Sequence, residues 1–263
     1  MLNSIFSKTL YEKRWGIVWW GLAMFLTTLL VMLLFPVMRD SFGAQLKDVP
    51  ESLKSILGEA ADYQKISGFV ELQVLAQMMF LTIIYGIILC VATLSGEENQ
   101  GTLQTLLAQP VSRSRIYWHK LAACVVVLTL ISILMAAGIL LGAAVLGESI
   151  STVAVIQASF MQLLLALFLS ILAYAIGAAT GSRAIAGSIA GIYAFAGYMV
   201  TSLAPIADVL EKLNYISPYR YFMTTRVLEN GIAAKNMIPL LLGSVLLAII
   251  GWYFFTRRNI YQQ

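Results

Sequence analysis

Six stretches of roughly twenty or more apolar, nearly uncharged residues recur along this 263-residue chain, at 16–37, 72–94, 120–146, 153–180, 184–206 and 237–255. A helix needs about 20 such residues to cross the ~30 Å hydrocarbon core of a bilayer. Apolar residues make up 60% of the chain and charged ones 11%, against about 45–50% and about 25% in an ordinary soluble domain. That excess cannot be buried in a soluble core, so the bilayer is the solvent for most of the chain. The sequence therefore reads as an all-α polytopic membrane protein with six transmembrane helices, forming a single membrane domain over 1–263. Six crossings place both ends on one side. The first run follows Lys8, Lys13 and Arg14 and lacks a short apolar core with a small-residue cleavage site, so it reads as a retained helix and not as a signal peptide.

Orientation is read from Lys and Arg near the span ends. With the N-terminus inside, nine fall on the inner side (Lys8, Lys13, Arg14, Arg113, Arg115, Lys120, Arg183, Arg257, Arg258) and eight on the outer (Arg39, Lys47, Lys54, Lys65, Lys212, Arg220, Arg226, Lys235). The count alone is nearly even. The inner residues, however, cluster against span ends, whereas the outer ones lie in two longer connections, 38–71 and 207–236, that also carry many carboxylates. Both termini are expected in the cytoplasm, with the chain multi-pass in the cell (plasma or inner) membrane.

Several chemistries are disfavoured. Cys90 and Cys124 lie inside apolar runs and match no disulfide framework or CxxC spacing, so they read as buried thiols. His119 is the single histidine and has no partner for a His-based metal site, and a formal charge of +4 is too small and scattered for a nucleic-acid surface. Almost no ionisable residue falls at mid-span, where proton or ion relays are built. An external energy source is therefore expected in place of an ion gradient.

Three amphipathic segments lie outside the spans. Residues 2–15 place Leu2, Ile5, Phe6 and Leu10 on one helical stripe, the pattern of a helix lying in the interface plane. Ser95–Lys120 reads SGEENQGTLQTLLAQPVSRSRIYWHK. Ser95 and Glu98 have the S-x-x-E spacing of a capping box, Leu103, Leu106 and Leu107 share a face, and Pro110 ends the helix. Ser112 then caps the next helix, which carries Arg113, Arg115 and Lys120 toward the inner headgroups. The expected product is a short helix-turn-helix at the inner surface, sized for a groove on a partner protein; the alternative is a surface loop whose leucines dip into lipid. In the outer connection, Tyr215, Tyr219, Tyr221 and Phe222 around Pro218 suit an interfacial belt with partial re-entry. The first outer connection is expected to be helical around 51–65. Gly138/Gly142, Gly177/Gly181 and Gly187/Gly191 form three GxxxG pairs that permit close helix approach, within one subunit or between two.

The string GEENQGTLQTLLAQPVSRSRIYWHK resembles the permease subunits of the second export class of ATP-binding-cassette transporters, in which an acidic pair, Gly-Thr, leucines, Pro-Val-Ser and a basic patch recur between spans two and three. Six spans, an N-terminal elbow helix and Ser217-Pro218-Tyr219 before the last span extend the resemblance to essentially the whole chain. It implies that residues 2–15 are the elbow and that 95–115, with Glu97, Glu98, Gly101, Thr102, Leu103, Leu106, Leu107 and Pro110, is a coupling helix docking onto a separate ATPase. Two permeases, this chain with a second copy or a paralogue, would form the path above two ATPases that bind ATP and Mg, and the cargo would be a drug, an antimicrobial peptide or a lipid-like molecule. Leu94-Ser95-Gly96-Glu97 resembles the ATPase signature LSGGQ only in part, lacking its second glycine and glutamine. No G-x-x-x-x-G-K-[ST] occurs in the sequence, so no cofactor is expected in this chain and it is not expected to be an enzyme itself.

Two other readings use the same features. A bacteriocin immunity or sensor protein without a transport cycle shares all of them. A membrane-embedded lipid enzyme fits poorly, because Glu97 and Glu98 are adjacent and would diverge by about 100° on a helix. Met24, Met78, Met79, Phe80, Tyr85, Tyr193 and Tyr198 are adaptable side chains on spans one, two and five, but nothing in the sequence assigns a cargo residue.

Overall fold

The computed structural model describes residues 4–47, 64–103, 111–205, 208–223 and 225–258, with backbone alone over 42–47 and at 208. All regular structure among them is helical. Helix α1 spans Ile5–Leu33 and α2 Phe35–Lys47. Helix α3 runs over Ile66–Thr93, with a π-helical turn at Val70–Leu75. After it come α4 (Ser95–Asn99), α5 (Arg113–Leu146), α6 (Thr152–Thr180) and α7 (Arg183–Leu203). Three short helices, α8 (Asp208–Leu213), α9 (Arg220–Met223) and α10 (Val227–Asn230), precede α11 (Ala234–Arg257). Among the described residues six helices are long and apolar enough to cross a membrane: Ile5–Ser41, α3, α5, α6, α7 and α11. The chain is an all-α polytopic membrane protein.

Serine side chains set the helix starts. Ser4, Ser112, Ser151 and Ser182 each accept a hydrogen bond from the backbone N–H three residues on, at 3.2–3.4 Å, satisfying one of the orphan donors of a helix N-terminus. The cap expected at Ser112 is present. The one expected at Ser95 is not: its hydroxyl donates back to Val91 O at 3.0 Å, and α4 has no side-chain cap. The elbow also differs from expectation. Residues 5–33 form one continuous helix, since no proline interrupts this segment and Gly16 and Gly21 alone do not break it. The segment expected to be helical around 51–65 lies mostly outside the described residues, apart from 64 and 65.

α6 is the central helix and packs against α3, α5, α7 and α11, while α1 lies along α5. The first GxxxG pair explains that last contact. A Cβ on Gly138 would lie 3.0 Å from Phe25 O and 3.1 Å from Thr28 Cβ, and one on Gly142 would lie 2.5 Å from Met32 Cβ. The space a side chain would need there is taken by α1, through the Phe25 carbonyl and the Thr28 side chain at Gly138 and the Met32 side chain at Gly142. Gly187 and Gly191 on α7 differ, with nothing within 4 Å of an added Cβ. At the end far from the termini, Ser217-Pro218-Tyr219 is buried. Ser217 donates to Gly197 O at 2.8 Å, and Thr201 Oγ1 lies 2.7 Å from both Asn214 Oδ1 and Ser217 Oγ. The expected aromatic belt is therefore divided: Tyr219 and Phe222 are inside, where burial pushes the Tyr219 phenol up, and Tyr215 is exposed. Both cysteines are free and buried, as expected.

Gly142→Ala is expected to cost about 1–3 kcal/mol by forcing α1 off α5. Gly187→Ala is expected to be neutral or to stabilise by up to about 1 kcal/mol, through helix propensity alone. Unfolding in detergent micelles measures both, and equal effects at the two sites would refute this account of the α1–α5 contact.

Candidate functional site

The acidic motif between the second and third spans lies at the end of the bundle that carries both described chain ends, because α1 runs parallel to α5 and α11 parallel to α6. α3 stops at Thr93, and the chain turns through Leu94 into the five-residue α4. Ser95, fully buried, holds this turn against α6: a Cβ on Gly177 would come within 2.7 Å of its hydroxyl. Gly177 is thus the close-approach point for α4. Gly181, four residues on, ends α6 at φ 71°, a left-handed conformation that favours glycine.

The two carboxylates of α4 diverge and are paired separately. Glu97 Oε1 accepts from Lys120 Nζ, which also donates to Thr93 O at 3.0 Å. Thr93 O belongs to the last turn of α3, where carbonyls lose their helical partners. Lys120 is 2% exposed and Glu97 18%. Glu98 Oε2 accepts from Arg258 Nη2 at the end of α11. Arg258 O in turn accepts from Arg113 Nη1 at 2.6 Å. Gly181 makes room for this second pair, since a Cβ there would fall 2.7 Å from Glu98 Oε1 and 2.9 Å from Arg258 Cζ. With its amide nitrogen facing them, Asn99 donates to Gly181 O (2.9 Å) and Ser95 O (2.7 Å). Behind the ion pairs, Tyr117 OH donates to Ala248 O at 2.8 Å, Tyr174 OH to Tyr117 O at 2.9 Å, and Trp252 Nε1 to Ser114 Oγ at 2.9 Å. α4 is thereby tied to α3, α5, α6 and α11.

Several expected site residues fall elsewhere than the sequence reading places them. Lys120 is not at a headgroup but inside the junction, because Glu97 and Thr93 O together replace its water. Glu98 does not close a capping box, because Arg258 holds it. Leu103 is fully buried and so is not part of a face offered outward. Thr102 is exposed, and its hydroxyl donates to Glu97 O at 3.1 Å. Gly101 is exposed at φ 75° and forms the turn after α4. Arg115 is exposed at the start of α5. Leu106, Leu107 and Pro110 lie outside the described residues. Sequence reasoning missed Arg258, Asn99, Gly177 and Gly181 as parts of the junction. The available signal was that two adjacent acids at a span end require nearby cations, but nothing local pointed 160 residues ahead.

Among the described residues no group of three or more His, Cys, Asp or Glu side chains is arranged to hold a metal ion. Each of the two carboxylates is engaged by a cation from a different helix, Lys120 of α5 for Glu97 and Arg258 at the end of α11 for Glu98. Residues 2–256 match the family model described as multidrug efflux system permease Rv1217c, C-terminal domain. The chain belongs to that family. No curated protein matches it. As an efflux-system permease, the protein is a multi-pass membrane transport component, and its ion-paired junction lies between the second and third of its spans.

Removing one member of a buried ion pair leaves the other charge without compensation, which costs about 3–5 kcal/mol. Lys120→Met and Glu97→Gln are each expected to lower stability of the efflux permease in micelles by that order. The double variant is expected to lose clearly less than the sum. Additive losses, or none, would show that the pair does not hold the junction.

Proposed function

We propose that this chain is the membrane-spanning permease subunit of an ATP-binding-cassette exporter of the second export class, with the ion-paired junction at the cytoplasmic face. Two copies, or this chain and a paralogue, line the path, and two separate ATPase subunits bind and hydrolyse ATP with Mg. The observation that carries the reading is the double tether of α4. Glu97 grips α5 through Lys120 and Glu98 grips α11 through Arg258. A segment that projects from this anchor and is pushed by a partner would move several spans as one body, the requirement for a two-state element driven from outside. Efflux-family membership and the order of residues from Gly96 to Lys120 support the same reading.

In this reading α4 is the anchor and Leu106 and Leu107 are the gripped part, since Leu103 is occupied by the chain's own packing. The cargo is an apolar drug, an antimicrobial peptide or a lipid-like molecule. Of the adaptable side chains on spans one, two and five, Met24, Met78, Met79 and Tyr85 are buried in the single subunit, whereas Phe80, Tyr193 and Tyr198 are only partly buried.

Leu106→Asp or Leu107→Asp is expected to bury a carboxylate in the ATPase contact. The cost is a few kcal/mol, corresponding to more than a 100-fold loss of affinity. The permease is co-expressed with a candidate ABC ATPase subunit, captured after gentle solubilisation and assayed for the ATPase. Wild-type recovery with either variant would defeat the coupling assignment, as would the absence of ATP-dependent flux in proteoliposomes holding both chains.

A further inference from the structure

A cavity of about 630 Å³ opens at the end of the bundle far from both described chain ends, its wall drawn mainly from α9, α10 and the first two turns of α11. Arg220 and Lys235 both line it, with Asn230 and Asn236 among its polar residues and Pro239 on the α11 side. No carboxylate stands among the described lining residues. Glu229, the acid beside Asn230, lies 3.8 Å from the Arg226 guanidinium instead. Two cations in one concave wall focus a positive field into it and favour an anion there.

The guanidinium of Arg220 is stacked on the Tyr215 ring, with Cζ 3.6 Å from the ring centre. That contact fixes the plane of a fork whose geometry matches two oxygens of a phosphate, so part of the ordering cost of binding is already met. Lys235 is exposed and adds a compact point charge on a flexible stem.

Height selects the anion. α11 has 24 residues and is about 36 Å long, against ~30 Å of hydrocarbon. Its first turn, with Lys235 and Asn236, therefore stands at headgroup level. Lys235, Pro239 and Leu242 follow at i, i+4 and i+7 on one face of the helix, and Leu242 is 60% exposed on the outside of the bundle, the side a bilayer covers. The cavity wall thus continues into a lipid-facing surface. Phosphate is the anion that bilayer lipids carry at that height, and basic pockets between membrane helices hold such headgroups.

We propose that this cavity holds the phosphate of a phospholipid from the adjoining leaflet, with Arg220 and Lys235 as its counter-charges and the acyl chains along the Leu242 face of α11. The site lies at the opposite end of α11 from Arg258 and needs no ATPase, so its failure would leave the exporter reading intact, and the reverse holds as well.

Native mass spectrometry of the purified protein in mild detergent tests the site, by titration with dioleoylphosphatidylglycerol and with dioleoylglycerol, which has the same chains and no phosphate. One firmly retained phosphatidylglycerol is expected, with dioleoylglycerol at background. Lys235→Gln and Arg220→Gln are each expected to weaken retention about fivefold, and Lys235→Arg is expected to preserve it. Because Lys235 is exposed, its variants are expected to keep the fold even if Arg220→Gln does not. Lys212→Gln removes an exposed lysine of α8 outside the cavity and is expected to change nothing. Equal retention of the two lipids would overturn the proposal, as would unchanged retention in Lys235→Gln or an equal loss in Lys212→Gln. Displacement of the lipid by inorganic phosphate at equal concentration would mark a site for the free ion and overturn it too.

Discussion

Glu97 and Lys120 bring a carboxylate and an ammonium together where almost no water reaches, and the end of the bundle near both chain ends is arranged around that requirement. Desolvating each ion costs several kcal/mol, which mutual attraction offsets only with good geometry and additional hydrogen bonds. Thr93 O supplies one of those bonds. Because that carbonyl belongs to α3, the carboxylate to α4 and the ammonium to α5, three elements cannot shift independently without exposing a charge to a medium that does not solvate it. Glu98 extends the same condition to α11, and the glycines of α6 yield the space. Buried ion pairs contribute little net stability compared with apolar replacements, but a broken one is costly. Here they select one relative placement of helices.

The remaining contacts are of the kind expected when lipid competes for every apolar surface. Hydrophobic side chains gain little by leaving hydrocarbon for other hydrocarbon, so packing depends on close approach and on polar groups finding one another. α1 meets α5 at Gly138 and Gly142, and α3 lies close to α6 at Gly86, where an added Cβ would fall 2.1 Å from Ser170 Oγ. Gln162, 1% exposed near mid-span, directs its amide nitrogen to Thr82 Oγ1 and Met135 Sδ, linking three helices. The ionic junction therefore rests on a bundle whose neighbouring helices are already registered against one another.

The six crossings were legible because hydropathy over twenty residues is a sum, insensitive to any one neighbour. Ser112 was legible as a cap because capping is local. The roles of Ser95 and Glu98 were not. Their S-x-x-E spacing fits a local reciprocal cap, but a guanidinium 160 residues away offers Glu98 a charged partner, and a charge-assisted bond outweighs a neutral cap. From sequence alone Lys120 fits a headgroup contact, because its apolar neighbours mark a span edge equally well for a cation facing out or in. The three GxxxG pairs look alike in sequence but have separate uses. One seats α1, one seats Ser95 and closes α6, and one faces open space. Leu103 shows the same limit, since an amphipathic stripe indicates that a face is covered without indicating by what.

One constraint underlies the junction and the spans alike. In hydrocarbon a polar group must be paired, and at the junction Glu97 is paired with Lys120, Glu98 with Arg258, and Arg113 with the Arg258 carbonyl. Many helical hydroxyls are paired too, by the carbonyl one turn back. Against that background Ser132 Oγ and His119 Nδ1 on α5, and Ser159 Oγ and Gln162 Oε1 on α6, are buried without hydrogen-bond partners. Departures of this kind in an otherwise consistent structure tend to fall at functional positions. A junction whose two carboxylates are both paired favours a fixed shape.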